Sequence, residues 1–227
     1  MSKGKKITGF INSFFNEQVI DSYPSRINPQ LEVALINGRY QLNAGNVNYS
    51  FGPLHDAFRK YFKKDTPILN VNSKVLLLGL GAGSVIRILK DELEINCHYT
   101  GVEADEAVLE IARKHFDLDK IGNLLVVNND AAEYIQLCNE KFDCIVIDLY
   151  IDDIVPAKFE TRDFLNNVYH CLLPGGKVVF NKLQKVNHDN SSARALIHLL
   201  ENIFDEVKVF KIAVNKESPN FFITGKK

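Results

Sequence analysis

The sequence predicts a doubly wound α/β fold: a mostly parallel sheet of seven strands, preceded by a small antiparallel β-hairpin unit. Three observations predict it. From Asn72 onward, short apolar runs alternate with amphipathic segments of helix length, the pattern of parallel strands joined by crossover helices. The first run, Val75–Leu78, passes straight into Gly79, Gly81 and Gly83, and the second ends on Glu103. The last two runs, Glu206–Ala213 and Asn220–Thr224, are separated by a short polar segment. The chain therefore closes on a hairpin, and its final strand lies antiparallel in an otherwise parallel sheet.

Residues 1–66 lack this alternation and are expected to form a small antiparallel unit with a docking helix, leaving residues 67–227 as the main domain. Leu31–Ile36 and Arg39–Leu42 flank Asn37-Gly38, the dipeptide that best suits a two-residue hairpin turn, and Gln18–Tyr23 is a candidate strand before them. In Leu54–Phe62 the apolar residues Leu54, Ala57, Phe58, Tyr61 and Phe62 fall on one helical face, so this helix docks. Val75–Leu78 is too short for a core helix and reads as a strand buried on both faces. Helix Ser84–Leu93 follows, with Ser84 as a candidate cap. Then come strand His98–Val102, helix Glu106–Phe116 capped by Asp105, strand Leu124–Val127, helix Ala131–Leu137 and strand Phe142–Ile147. Helix Thr161–Leu172 leads through the turn Pro174-Gly175-Gly176 to strand Lys177–Asn181, and helix Asn190–Phe204 precedes the closing hairpin.

Composition narrows the function classes. The chain has 227 residues, 46% of them hydrophobic, enough for one large core. Its net charge of −1 is mixed along the sequence and leaves no basic footprint for nucleic acid. Cys97, Cys138, Cys144 and Cys171 are far apart and suggest neither a zinc site nor a disulfide framework, so no metal is expected. No apolar run reaches membrane-helix length and the amino terminus is not signal-like, which points to a cytoplasmic protein off the membrane.

The candidate site is acidic. A glycine turn of this kind offers free N–H groups and close backbone approach to a nucleoside-bearing cofactor, although glycine also serves such turns for packing alone. Glu103, at the end of the second strand, can accept hydrogen bonds from both hydroxyls of a ribose lying across the turn. Asp130, after the third strand, can accept from an adenine amino group or simply cap the next helix. Asp148 ends the fourth strand, where it can orient or deprotonate an amine nucleophile, or else only bond its own backbone. Asp152 and Asp153 follow in a loop that could fold over the site or stay solvated. Tyr49 and Tyr150 can serve as lids or as packing, and His55 as a polar edge residue.

The GxGxG turn, the acid after strand two and the closing hairpin together resemble the class I S-adenosylmethionine-dependent methyltransferase fold, a Rossmann variant. Within it, the hairpin with Gly38 and Gln41, Leu54-His55-Asp56, GLGAGSVIRIL, VEADEAVLEIARKHF, NNDAAEYI, FDCIVIDLYIDDIVPA and LLPGGKVVFN resemble the spermidine synthase (polyamine aminopropyltransferase) family. This resemblance implies that Gly79, Gly81, Gly83, Gln41, Glu103 and Asp130 bind the cofactor and that Asp148 is catalytic. It puts His55, Asp56, Tyr150 and Asp152 on the substrate side, and implies a small-molecule acceptor and a homodimer built through the amino-terminal hairpins. The chain departs from the family at Ala82, where the family's GGGDG carries an Asp for the aminopropyl ammonium, and at Leu54, where the family has Tyr. Without that Asp, intact S-adenosylmethionine fits better than its decarboxylated form, since a carboxylate there would repel the methionine carboxylate. The expected activity is methyl transfer to a small molecule. Aminopropyl transfer to putrescine is one alternative, and a non-catalytic nucleoside-binding or interaction protein is the other.

Overall fold

The computed structural model describes residues 11–28, 30–45, 47–152, 154–183, 191–213 and 219–227. The chain opens with β1 (Gln18–Tyr23), β2 (Leu31–Ile36), β3 (Arg39–Ala44) and β4 (Val47–Ser50), a four-stranded sheet in that order. All of its pairings are antiparallel. Asn37 and Gly38 both take positive φ, 50° and 73°, as the hairpin turn between β2 and β3 requires. β4 was not expected, because Val47–Ser50 reads VNYS, with little β signal, and is ordered by pairing to β3. Helix α1 (Pro53–Phe62) follows, with a proline in its first turn.

The main sheet is built from β5 (Lys74–Leu78), β6 (His98–Glu103), β7 (Leu124–Asn128), β8 (Phe142–Ile147), β9 (Leu172–Leu183), β10 (Asp205–Ala213) and β11 (Pro219–Lys226), in the order β10-β11-β9-β8-β5-β6-β7. β5, β6, β7, β8 and β9 pair in parallel, while β11 pairs antiparallel to both β9 and β10. This is the doubly wound sheet with a terminal hairpin that the alternating pattern predicts. Helix α2 starts at Ser84–Arg87 and continues as a π turn, Ile88–Glu92, in which Leu93 N–H donates to the carbonyl of Ile88. The remaining helices are α3 (Glu106–Phe116), α4 (Ala131–Leu137), α5 (Arg162–Cys171) and α6 (Ser191–Glu201). α3 and α4 are capped as their sequences require: Asp105 accepts from Ala107 N–H, and Asp130 from Ala132 and Glu133 N–H.

Two expectations fail locally. Ser84 does not cap α2; Gly83, at φ +85°, takes the N-cap place with no side-chain bond, because the chain enters the helix from a left-handed turn. Pro174-Gly175-Gly176 does not break β9 either. Lys227 holds it in the sheet, with Gly175 N–H donating to Lys227 O and Lys227 N–H to Gly176 O.

The sheet separates two cores. On one face β5, β8 and β9 pack under α4, α5 and α6. On the other, Val75, Leu77 and Val146 join α2 and α3 and also Leu31, Val33, Leu42 and Ala44 of the small sheet, with Phe58, Tyr61 and Phe62 of α1. Tyr61 stacks on Phe222 of β11 at 4.5 Å, and Phe58 meets the same ring edge-on at 4.9 Å. Both sheets thus share one continuous hydrophobic cluster, which fixes β4 against the carboxyl ends of β5 and β6. No helix among the described residues is long and apolar enough to cross a membrane.

Candidate functional site

The turn after β5 is glycine-rich for reasons the structure makes explicit. A Cβ on Gly79, at φ +90°, would stand 2.1 Å from the carbonyl oxygen of Asp148, so glycine there lets the ends of β5 and β8 close on each other. A Cβ on Gly81 would meet Ser50 Oγ at 2.9 Å. The free N–H groups expected of the turn are not free. Gly79 and Leu80 donate to Val102 O, and Gly83 to Leu80 O. Gly81 donates to Glu103 Oε2 at 2.9 Å, and Ala82 to Ser50 Oγ at 3.0 Å. β4 lies close enough to satisfy the donor nearest the turn's apex, which the sequence could not reveal without β4 itself.

Glu103, 9% exposed, ends β6 and braces the turn. Its Oε1 accepts from Asp105 N–H at 3.0 Å while Oε2 takes Gly81. Burial pushes its carboxyl above the usual range and the Asp105 carboxylate adds to this, against the pull of the backbone donors. Asp105 caps α3 through Oδ1 and uses Oδ2 to bind Ser25 and, at 2.6 Å, Asn28 Nδ2, so the loop after β1 is fastened beside Glu103. Asp130 is a helix cap, and its second oxygen pairs with Lys158. Burial favours its neutral form, but Lys158 and the α4 N–H groups hold the carboxyl below the usual range. An adenine amino group at Asp130 would therefore compete with Lys158, a partner from the loop before α5 that no local motif announces.

Asp148 follows β8 directly. It is half-buried, and packing among protein atoms pushes its carboxyl up to about 7, with repulsion from Glu103 adding to the effect and a hydrogen bond from Asn181 opposing it. Asn181 Nδ2 donates to Asp148 Oδ1 at 2.9 Å. Tyr49 of β4 lies between these acids: burial raises its hydroxyl, and Glu103, Asp148, Asp105 and Asp152 all raise it further. Its hydroxyl reaches Tyr150 O and, at 2.7 Å, Asn28 Oδ1. Asp152, at φ +54°, sits in the turn of the Ile151–Ile154 bridge, and its Oδ1 is buried without a hydrogen-bond partner. Three carboxylates of the candidate site, Glu103, Asp148 and Asp152, make no ion pair among the described residues.

Other candidates have other surroundings. Gln41 stands opposite Ala34, on the other face of β3 from Leu42 and Ala44. His55 and Asp56 belong to a network with Arg59 and Glu92: Arg59 bonds Asp56 Oδ1 at 2.7 Å and Glu92 Oε2 at 2.6 Å, and His55 Nε2 lies 3.1 Å from Glu92. Burial and the neighbouring Arg59 lower the His55 ring. Tyr150 is no lid, because its hydroxyl donates to Asn181 O at 2.9 Å and accepts from Leu183 N–H at 2.7 Å. Asp153 lies outside the described residues, as does the side chain of Leu54. Ser50, Lys158 and Asn181 were not singled out in the sequence, since each acts through a partner distant along the chain.

Polyamine aminopropyltransferase 2 of Hyperthermus butylicus is 36% identical over 118 residues, 47% of this chain and 37% of that protein. The eEF1A lysine and N-terminal methyltransferase homolog of Drosophila melanogaster is 26% identical over 155 residues, 64% of this chain and 22% of that protein. The chain thus spans well under half the length of either relative. The crystal structure of a probable spermidine synthase from Corynebacterium glutamicum superposes with a TM-score of 0.75 over 92% of this chain and 80% of that one; at 18% identity this is a likeness of fold. A family model described as the spermine/spermidine synthase domain matches residues 65–224, from the end of α1 to the last strand, and on that match the chain belongs to the spermine/spermidine synthase family.

Proposed function

We propose that this chain is an S-adenosylmethionine-dependent transferase that methylates an amine-bearing small molecule. The observation that carries the reading is the convergence of Glu103, Asp148 and Asp152 on Tyr49 without a basic partner among the described residues. Such a site suits a ligand rich in hydroxyl donors and positive charge. The residues present fit the cofactor on two counts. Each Glu103 oxygen holds one backbone donor and keeps a lone pair for a ribose hydroxyl, and the partnerless Oδ1 of Asp152 awaits a donor. When bound, S-adenosylmethionine supplies an electrophilic methyl group on a sulfonium.

The chain's own residues do the rest. Glu103 grips the sugar edge, Asp148 takes a proton from the acceptor nitrogen, and Asp152 holds the acceptor's charge. A carboxyl near 7 is suited to exchanging a proton at neutral pH. Ala82, wholly buried beside Ser50, favours intact cofactor because it puts no negative charge near the methionine carboxylate. Ser50 holds the Ala82 N–H, so a cofactor tail that used that amide would have to compete with it.

Aminopropyl transfer to a polyamine is the second reading, supported by the acidic acceptor side and by the relatives that carry this activity in their names. Calorimetry with S-adenosylmethionine and with its decarboxylated form separates the two. Tighter binding of the intact form is expected; tighter binding of the decarboxylated form moves the assignment to aminopropyl transfer, and no binding of either removes both. We also place a self-association surface at the amino-terminal unit, where Phe14 and Phe15 are 53% and 79% exposed.

A further inference from the structure

We infer that Asn181 and Asn220 form a side-chain relay that positions Asp148 so that its Oδ2, and not its Oδ1, exchanges the acceptor's proton. This rests on the transferase reading for its purpose, but its geometry stands independently. Asn220 Nδ2 donates to Asn181 Oδ1 at 2.8 Å, and Asn181 Nδ2 donates to Asp148 Oδ1 at 2.9 Å. Asn181 is fully buried and Asn220 is 4% exposed. The sheet sets the spacing. Phe222 stands opposite Asn181 in the β9–β11 ladder and Asn220 two residues away opposite Leu183, so Asn220 shares a face with Asn181. Ile147 pairs with Phe180 in the β8–β9 ladder, which brings the next residue of each strand, Asp148 and Asn181, side by side. The Asn181 backbone is held as well, since its carbonyl accepts from Tyr150.

Two buried amides beside Val179, Phe180 and Phe222 cost desolvation that an apolar pair would avoid. They are explained if their order matters. Asn181 alone could serve either state of Asp148, donating with Nδ2 to the carboxylate or, turned over, accepting with Oδ1 from the acid. Asn220, as oriented here, opposes the second arrangement, because turning Asn181 alone would bring two NH2 groups together. Asp148 therefore accepts at Oδ1 in both charge states, and its proton resides on Oδ2. The other titratable groups facing Asp148 are Glu103 from β6, Tyr49 from β4, and Tyr150 in the loop after β8, with Asp152 acting on the same Tyr49. The Lys182–Glu160 ion pair lies behind Tyr150. None of these fixes the Asn181 amide.

The test is a 13C NMR titration of the aspartate carboxyl carbons in the intact chain without ligand, with the Asp148 signal identified by its loss in Asp148→Asn. In Asn220→Leu the Asp148 midpoint should rise by about half a pH unit, the share of one neutral hydrogen bond that steadies the charged form. Asn220→Asp, which keeps the size of the side chain, cannot donate when ionised; it turns the Asn181 amide over and should raise the midpoint by more than about one unit. Midpoints unchanged or lowered in both variants would overturn the relay. Because the titration needs no cofactor, a failure to bind S-adenosylmethionine would remove the transferase reading and leave the relay standing.

Discussion

Asp148 should cost the fold stability at neutral pH, and replacing it should show how much. Its carboxyl titrates at about 7 in the folded chain against about 3.9 when unfolded. Between those values the folded state keeps a proton that the unfolded state has released, so stability is full below the lower value and falls as pH rises to the upper one. At about 1.36 kcal/mol per unit, the wild-type deficit relative to a neutral isostere is about 1.5 kcal/mol at pH 5 and reaches a ceiling of about 4 kcal/mol at pH 8. Asp148→Asn keeps the oxygen that accepts from Asn181 and removes the titration. Guanidinium unfolding of both proteins at pH 5 and pH 8 should show the variant's advantage growing by about 2 to 3 kcal/mol between the two. Equal advantages at both pH values, or a smaller one at pH 8, would mean that Asp148 titrates like a solvated carboxylate, and the argument for a poised proton acceptor would fall with it.

Gly79→Ala should destabilise the chain by about 3 kcal/mol or more, read by denaturant unfolding, because its Cβ would meet the Asp148 carbonyl at 2.1 Å in a left-handed conformation. Tyr49→Phe should cost about 1 to 3 kcal/mol, since Asn28 Oδ1 and Tyr150 O lose their shared donor; a loss below about 0.5 kcal/mol would show that the hydroxyl does not fasten β4.

Much of the fold was legible because its signals are local. Glu106–Phe116 and Ala131–Leu137 were read to the residue, each from a capping aspartate followed by helical spacing. Phe142–Ile147 was equally plain, because it ends in the apolar run CIVI and is flanked by Lys141 and Asp148. The N-terminal unit was half legible: Asn37-Gly38 announces its own hairpin, whereas β4 exists only because β3 offers an edge. The π turn in α2 has no cue in IRILKDE that we can identify. At the site, the acids at the strand ends could be named because the βα pattern fixes where strands end. Their partners could not. Lys158 reaches Asp130 from 28 residues away, Asn181 reaches Asp148 from 33, and Asn220 reaches Asn181 from 39.

The family match begins at residue 65, yet one wall of the site lies before it. Tyr49 and Ser50 cover the glycine turn, Ser25 and Asn28 bind the Asp105 cap beside Glu103, and all four belong to the small sheet or its loops. The carboxylates Glu103 and Asp148 belong to the matched segment, and relatives of this chain carry two different named chemistries. Two functions are thereby divided between two stretches of chain. The main sheet presents acids at its strand ends, an arrangement that follows from topology and tolerates different transferred groups. On the proposed reading the small sheet governs what can reach them, and because it shares a core with β5 and α2 it cannot shift as a separate body without exposing Leu31, Val33 and Leu42. Specificity should therefore change more readily through Tyr49, Ser50 and their neighbours than through the matched acids, whose exchange would disturb the turn, the α3 cap or the β9 amide along with the chemistry.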